Sequence, residues 1–244
     1  MSIESSANKA ELEKFRKISE QWWKKDGEFK MLHQINPVRL SYILEKMKVN
    51  FGINGHKPDI LDVGCGGGLI TSKLCEFSSN IMGIDALQEN IDVATRYAHE
   101  HNLDIMYKKT TIEEFVATST QKYDVVLCLE VVEHVDNLDG FIENLTSLVK
   151  PGGMVIISTI NRTMKAYALA IIMAEYVLNW VPRQTHDYKK FIKPSELNAV
   201  FQENKIILQE LKGLTYNLVT GAWQLSNDID VNYFAYFTKE NEKQ

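Results

Sequence analysis

A short apolar run followed by a cluster of glycines constrains the fold of this chain more than any other feature. Residues 59–69 read Asp-Ile-Leu-Asp-Val-Gly-Cys-Gly-Gly-Gly-Leu, and the apolar run is typical of a strand buried on both faces. Leu69, Ile70 and Leu74 then follow at helical spacing. Strand, glycine turn and helix in this order place a helix N-terminus over the end of a sheet, where the backbone can approach a ligand with no Cβ in the way.

The spacing of the glycines narrows the choice of ligand. A dinucleotide fingerprint requires glycine at position 69, which is leucine here. The pattern D-x-G-x-G-x-G from Asp62 to Gly68 instead resembles the first motif of Rossmann-like methyltransferases that use S-adenosylmethionine (SAM). The next apolar run ends at Asp85, where an acid can bind both ribose hydroxyls of NAD or SAM. Asp85 could alternatively cap the helix that follows it.

Composition excludes several classes of protein. The chain has 244 residues, 24% charged and 45% hydrophobic, which predicts one globular domain over residues 1–244. A net charge of −5 argues against nucleic acid as a partner. Cys65, Cys75 and Cys128 include no C-x-x-C pair, so neither a disulfide framework nor a zinc site is expected. With no signal sequence at the N-terminus, we expect a cytoplasmic protein.

Alternating apolar runs and helical patterns predict an α/β fold, a doubly wound sheet of seven strands. The remaining predicted strands are 104–107, 123–129, 154–159, 208–211 and 231–238. Residues 1–10 are polar and expected to be disordered, and a helical N-terminal extension is predicted over 10–24. Trp22 and Trp23 at its end either pack on the sheet or cap an apolar ligand.

Candidate site residues lie at two further places. Arg39 is predicted at the start of a helix, and its guanidinium suits the carboxylate of SAM. Leu129 ends the fourth predicted strand, and Glu130, Glu133 and His134 follow it. On a helical turn these last three share a face, where they could bind a divalent metal such as Mg²⁺, or His134 could act as a general base. Alternatively, Glu133 caps a helix and His134 packs in the core.

A helical insertion is predicted over residues 162–193, after the fifth strand. Within it, residues 166–181 are almost entirely apolar, but the segment is shorter than the ~20 residues that cross a bilayer. Glu175, Asn179 and Arg183 form a narrow polar stripe, and basic residues flank the segment. This pattern fits either a buried core helix or a helix lying on an anionic membrane surface.

Four segments resemble the ubiquinone-biosynthesis O-methyltransferase family. They read W-W-x-x-x-G-E-F-K-x-L-H-x-I-N-P-x-R-L, L-D-V-G-C-G-G-G, E-x-x-E-H-V and T-H-D-Y-K-K-F-I-K-P, and the similarity runs from about Phe15 to Tyr236. The resemblance implies a Rossmann-like, SAM-dependent enzyme whose last strand is antiparallel. It implies methylation of hydroxyls on the polyprenyl catechol intermediates 2-polyprenyl-6-hydroxyphenol and 3-demethylubiquinol.

The resemblance also implies site residues and partners. Arg39, Gly64, Asp85 and Leu129 are expected to contact SAM. A polyprenyl tail stays in the membrane, so we interpret the insertion as a peripheral membrane helix, on the inner face, that also guards the substrate entrance. Other quinone-biosynthesis enzymes are further expected partners.

Three alternatives remain open on the sequence. A nicotinamide oxidoreductase is favoured by Asp85 and opposed by Leu69. A carbon methyltransferase of quinone or lipid synthesis would share the SAM site, and product analysis distinguishes it. A non-catalytic scaffold that binds SAM or lipid would fail to transfer a methyl group in a single turnover.

Overall fold

A mixed β-sheet lies at the centre of the protein in the computed structural model, which describes residues 5–52, 57–169, 187–217 and 220–241. Its strands are β1 Asp59–Val63, β2 Asn80–Asp85, β3 Met106–Lys109, β4 Tyr123–Leu129, β5 Val149–Ile160, β6 Ile206–Asn217, β7 Ala222–Ser226 and β8 Asn232–Lys239. They lie in the order β3-β2-β1-β4-β5-β8-β6-β7. The first five strands are parallel, whereas β8 pairs antiparallel to β5, as the family resemblance implied.

Across the described residues the sheet has eight strands, whereas seven were predicted. β6 is longer than expected, and β7 pairs back along its second half as an antiparallel hairpin. Gly221, with φ of 67°, supplies the left-handed backbone conformation just before β7. Trp223 and Leu225 alternate with exposed residues along β7 and pack against the core on one face of the sheet. This partial burial on one face, together with the pairing to β6, favours an extended conformation in so short a segment.

Eight α-helices flank the sheet in the described ranges, besides short 3-10 turns: α1 Lys9–Ile18, α2 Lys30–Phe51, α3 Thr71–Leu74, α4 Gln88–Glu100, α5 Ile112–Thr118, α6 Leu138–Ser147, α7 Met164–Ala166 and α8 Pro194–Glu203. The side chain of Asn8 caps α1 and that of Asn137 caps α6, because each accepts hydrogen bonds from backbone N–H groups of the first turn. α5 begins with a capping box between Thr111 and Glu114.

Both faces of the sheet are covered by apolar side chains. Along β4, Val126 and Cys128 join the core beneath α5, α6 and α8, whereas Val125 and Leu127 join the core beneath α2. This alternation follows from the period of two in a strand. Because both sets are buried, the strand is apolar throughout, as the parallel arrangement predicted.

α2 begins at Lys30, earlier than the predicted start at Arg39. Pro37 lies inside this helix of 22 residues. Proline removes one backbone hydrogen bond and disfavours a helix interior by ~3 kcal/mol. Ile35 and Met31, in the turns before it, pack into the core beneath α2, and this burial offsets the loss. Arg39 therefore projects from the middle of a helix.

Most of the predicted insertion lies outside the described residues, which resume at 187. Its first part contains α7, with Ala166 buried and Met164 and Leu169 exposed. Within the described ranges, none of the helices combines the length and the hydropathy that a membrane span requires.

Candidate active site

A cavity of about 840 Å³ lies at the carboxyl end of the parallel strands. Residues that follow β1, β2 and β4 line it, as expected for an open α/β sheet. So do residues of the N-terminal segment, including Ser6, Glu11 and Phe15. All seven site residues predicted from the sequence line this cavity: Arg39, Gly64, Asp85, Leu129, Glu130, Glu133 and His134.

The glycine turn after β1 requires glycine for two separate reasons. Gly64, Gly66 and Gly68 have φ values of 73°, 54° and 79°, a left-handed conformation that side chains disfavour. At Gly66 and Gly67, a Cβ would lie 2.4 Å from atoms of Trp22. The sequence suggested that these glycines admit a ligand. The structure places an indole ring against two of them instead.

Asp85 organises this turn through its carboxylate. One oxygen accepts the N–H of Gly66 at 3.0 Å, and the other accepts the N–H of Leu87 at 2.8 Å and the side-chain amide of Asn90 at 3.1 Å. Trp22 Nε1 donates to Asn90 Oδ1 at 2.8 Å, which links the N-terminal extension to the acid. Burial raises the pKa of Asp85, and this effect outweighs the hydrogen bonds from Leu87, Gly66 and Asn90, which favour the charged form. The N-cap residue of α4 is Leu87, so Asp85 does not cap that helix.

Asp62 supports the turn from within the core. Its carboxylate accepts the hydroxyl of Thr71 at 2.5 Å, and its side chain is buried. Burial raises the pKa of Asp62 to about 6, and the nearby charge of Asp85 adds to this shift. The D-x-G motif therefore supplies a buried acid beneath the glycine turn.

Arg39 is buried beside the cavity and pairs with Glu130 at 2.6 Å. Ser158 Oγ donates to the same Glu130 oxygen at 2.8 Å, and the backbone N–H of Glu130 donates to the Ser158 carbonyl at 2.9 Å. The Nε of Arg39 is buried and has no hydrogen-bond partner among the described residues. An unpaired buried donor is unfavourable, so this guanidinium suits an anionic ligand group.

His134 contacts the N-terminal helix. Its Nδ1 lies 3.2 Å from Glu11 Oε2, and the Phe15 ring meets the imidazole edge-on with centroids 5.3 Å apart. Nε2 makes no hydrogen bond to any residue that the structure describes. Burial opposes the charged imidazolium, but the hydrogen bond to Glu11 and the charges of Glu133, Glu11 and Glu130 outweigh it and raise the pKa of His134.

Glu133 is buried next to this histidine. Thr159 Oγ1 donates to its carboxylate at 2.8 Å. Burial and the negative charge of Glu130 raise the pKa of Glu133, whereas the charge of His134 lowers it. Glu133 thus acts on His134 through its charge, whereas its carboxylate accepts a hydrogen bond from Thr159 of β5.

Glu130, Glu133 and His134 do not share a helical face, contrary to the prediction. Glu130 has φ of 56° because its backbone and its side chain both bond to Ser158, and only Val132–His134 forms a 3-10 turn. The three side chains have separate partners. No group of three His, Cys, Asp or Glu side chains in the described ranges is arranged to hold a metal ion. The metal site at these three residues stays a prediction.

The two adjacent tryptophans pack on the glycine turn and on α4, whereas the sequence suggested the sheet or an apolar ligand, and Trp22 also lines the cavity. Trp22 stacks on Phe29 with ring centroids 3.7 Å apart and covers the glycine turn. Trp23 stacks on Tyr97 of α4 at 3.3 Å and donates to the Gly67 carbonyl at 3.0 Å. They fasten the extension to α4 and the turn.

Comparison with known proteins identifies the family. A methyltransferase-domain model matches residues 31–204. The ubiquinone biosynthesis O-methyltransferase of Rickettsia typhi is 55% identical over 236 residues, covering 97% of this chain and 95% of the relative. The Rickettsia bellii protein of the same name is 56% identical, covering 96% and 97%. The chain belongs to the ubiquinone biosynthesis O-methyltransferases.

Solved structures support the fold of this O-methyltransferase. A magnesium protoporphyrin IX methyltransferase from Synechocystis PCC 6803, solved with bound SAH, aligns with a TM-score of 0.65 at 16% identity and covers 94% of this chain and 97% of its own. The N-methyltransferase NodS from Bradyrhizobium japonicum aligns with a TM-score of 0.60 at 15% identity, covering 94% and 97%. Family and fold together confirm the prediction of a SAM-dependent methyltransferase with Rossmann-like architecture.

Some residues that contact the candidate site have no signal in the local sequence. Glu11 lies 123 positions before His134, and no local pattern connects them. Ser158 and Thr159, which donate to Glu130 and Glu133, lie near the end of β5 after a long apolar run. Their position at the carboxyl edge of a parallel sheet is the signal that could have identified them.

Proposed function

We propose that this O-methyltransferase transfers the methyl group of SAM to hydroxyls of polyprenylated catechol intermediates of ubiquinone biosynthesis, among them 2-polyprenyl-6-hydroxyphenol and 3-demethylubiquinol. The observation that carries this proposal is one cavity that contains a glycine turn with a strand-end acid, an unsatisfied arginine and an imidazole. The names of its Rickettsia relatives support the substrate class.

Arg39, Gly64, Asp85 and Leu129 are the proposed residues that hold SAM. Arg39 Nε, buried without a partner in the described part of the chain, would donate to the methionine carboxylate. The Asp85 oxygen that receives one hydrogen bond retains capacity to accept another from a ribose hydroxyl. Leu129 and the Gly64 backbone line the space between these polar groups. When bound, SAM supplies an electrophilic methyl group on a sulfonium.

The apolar substrate is assigned to the part of the cavity near β6 and β7. Apolar and aromatic side chains line this part: Ile160, Leu169, Leu214, Tyr216, Trp223 and Val231. Such a surface suits a prenylated ring, because burial of apolar groups releases ordered water. Trp22 also lines this cavity, with its ring packed on Phe29 and the glycine turn.

His134 is the proposed general base. A phenol with a pKa near ~10 must lose its proton for efficient attack, and Nε2 of His134 is the acceptor. Glu133 and Glu11 would stabilise the resulting imidazolium, and Glu130 would orient Arg39 rather than the substrate. Alignment of the hydroxyl with the methyl group and removal of water supply the rest of the rate enhancement. No step is assigned to a metal ion.

Methyl transfer from labelled SAM to a short-chain prenyl catechol tests this function. Wild-type enzyme should give an O-methylated product, identified by mass spectrometry and NMR. His134→Ala should lower turnover by roughly 10²–10⁴-fold while SAM still binds. His99→Ala, at an exposed position on α4, is the matched control and should retain full activity. Ring-carbon methylation, no transfer at all, or near-normal turnover of His134→Ala would each contradict the proposal.

We further propose that residues 1–244 form one catalytic domain that works at the inner membrane surface. Met164 and Leu169 are exposed apolar residues at the start of the insertion, and Lys189 and Lys193 are exposed at its end. Lys165 forms ion pairs with Asp228 and Asp230, so it contributes less to attraction by an anionic membrane than the sequence suggested. The polyprenyl tail of the substrate would stay in the membrane, so a surface that binds the membrane would bring the enzyme to its substrate.

A further inference from the structure

One end of the cavity lies beside Asp85, where β2 and β3 end together. Ala86, Leu87, Thr110 and Glu113 line it. The N–H of Thr110 donates to the Asp85 carbonyl at 2.9 Å, so the two strand ends are held side by side. A group attached to a ribose at Asp85 would therefore enter this end of the cavity, between the segments that follow β2 and β3.

Glu113 brings a carboxylate to this end of the cavity, and its two oxygens differ. Oε1 accepts the backbone N–H of Ser6 at 3.2 Å and also accepts the Ser6 hydroxyl. Oε2 is buried and has no hydrogen-bond partner among the described residues. A buried carboxylate oxygen without a donor is unfavourable, so this position favours a ligand that supplies an N–H or O–H group.

The other polar side chains at this end of the cavity have partners. Both oxygens of Asp85 accept hydrogen bonds from the glycine turn and from α4. The Thr110 hydroxyl donates to the Thr111 carbonyl at 3.0 Å, and the Thr111 hydroxyl accepts the Glu114 N–H at 3.3 Å. Within the described ranges, Glu113 Oε2 is therefore the side-chain acceptor here that lacks a donor.

Apolar side chains flank this carboxylate. Leu87 and Ile112 are buried, and both line the cavity together with Ala86. Such walls suit a flat aromatic ring, for which only the polar edge needs hydrogen bonds. Adenine is flat, and its 6-amino group is a hydrogen-bond donor at that edge. The purine of SAM thus matches both the walls and the unpaired acceptor.

We infer that Glu113 selects adenine in the SAM site: Oε2 accepts a hydrogen bond from the 6-amino group, while Oε1 holds Ser6 of the N-terminal segment. The inference rests on the proposed placement of the SAM ribose at Asp85. A 6-oxo purine would direct an acceptor at the same carboxylate, so Glu113 also rejects it. The alternative is a purely structural role, in which Glu113 only fastens Ser6 to α5.

Calorimetric binding to the full chain distinguishes these two roles without any methyl transfer. The probes are S-adenosylhomocysteine (SAH) and its analogue with hydrogen in place of the 6-amino group. Wild type should bind the analogue about 10–10²-fold more weakly, the scale of a hydrogen bond to a charged group. Glu113→Ala should bind the two with nearly equal affinity, because the acceptor is gone. Glu114→Gln, which replaces an exposed neighbouring carboxylate and still suits the capping box, should keep the wild-type ratio.

Glu113→Gln gives a change of opposite sign for a third ligand. Ser6 donates twice to Oε1, so the amide oxygen of the glutamine should keep that position and turn its NH₂ group toward the purine. This variant should bind SAH about tenfold more weakly than wild type does. It should bind S-inosylhomocysteine, the 6-oxo analogue, about tenfold more tightly than wild type does.

Three results would overturn the inference. Wild type could bind SAH and the 6-hydrogen analogue equally, or both Glu113 variants could keep the wild-type ratio. An equal loss of affinity for all three ligands in these variants would leave only the structural role. Asp85→Asn should weaken the three ligands by one common factor, because they share the ribose. Wild-type affinities in Asp85→Asn would overturn the ribose placement and this inference together, whereas failure of the Glu113 variants alone leaves the ribose placement intact.

Discussion

At the scale of single residues, the first prediction concerns Asp85, a carboxylate of the cavity that accepts hydrogen bonds from several donors. Asp85→Asn should weaken SAM binding by about 1.5–3 kcal/mol, because an amide accepts through one oxygen whereas the carboxylate uses both. Isothermal calorimetry measures this change. Asp92→Asn, at an exposed position on α4, is the control and should bind SAM normally. Equal affinities for wild type and Asp85→Asn would remove Asp85 from the cofactor site.

The Glu11–His134 pair should make stability depend on pH. The hydrogen bond from His134 lowers the pKa of Glu11 from 4.5 to about 2, so this contribution is present above pH 4.5 and is lost as the pH falls toward 2. The pKa of His134 is raised above 6.5 in the folded protein. Its contribution to stability is therefore complete below pH 6.5 and is lost as the pH rises through the raised pKa of the folded state. The pair should therefore stabilise the protein most between pH 4.5 and 6.5.

Denaturant unfolding of wild type and Glu11→Gln measures this effect. The difference in the free energy of unfolding should be about 1–3 kcal/mol near pH ~6 and should shrink toward pH ~9. Glu13→Gln, with an exposed carboxylate on the same helix, should show little difference at either pH. A Glu11→Gln difference that stays constant across this range would show that the charged pair does not form.

At the scale of elements, the N-terminal extension and the glycine turn depend on each other. Gly67→Ala should lower the free energy of unfolding by about 1–3 kcal/mol, because its Cβ would lie 2.4 Å from Trp22. In a Trp22→Ala background the same change should be nearly harmless. Gly66→Ala should remain unfavourable in that background, since its φ of 54° disfavours any side chain. Additive losses for Gly67→Ala and Trp22→Ala would contradict the clash.

At the scale of the whole molecule, the proposed orientation at a membrane gives a prediction. Wild-type enzyme should sediment with anionic vesicles, and Met164→Glu or Leu169→Glu should abolish this binding while the fold is retained. High salt should weaken binding only in part, because apolar burial supplies much of the affinity. Val49→Glu, which replaces an exposed apolar residue on α2, is the control. Failure of the wild type to sediment, or equal loss in Val49→Glu, would contradict this orientation.

The sequence by itself determined the backbone framework of the site. The apolar run of β1, the glycines at 64, 66 and 68 and the acid that ends β2 are local features, and each has a backbone requirement that only certain residues meet. Parallel strands align their carboxyl ends, so these features had to meet at one edge of the sheet.

Only the tertiary structure decided which side chains pair at that edge. Arg39 and Glu130 are 91 positions apart, and Glu11 and His134 are 123 apart. Glu130 takes a left-handed conformation and bonds to Ser158 of β5, and β7, the strand that was not predicted, packs two partly buried side chains against the core. Local propensity cannot encode such contacts, because their free energy comes from burial and hydrogen bonds that form only after distant segments have packed together.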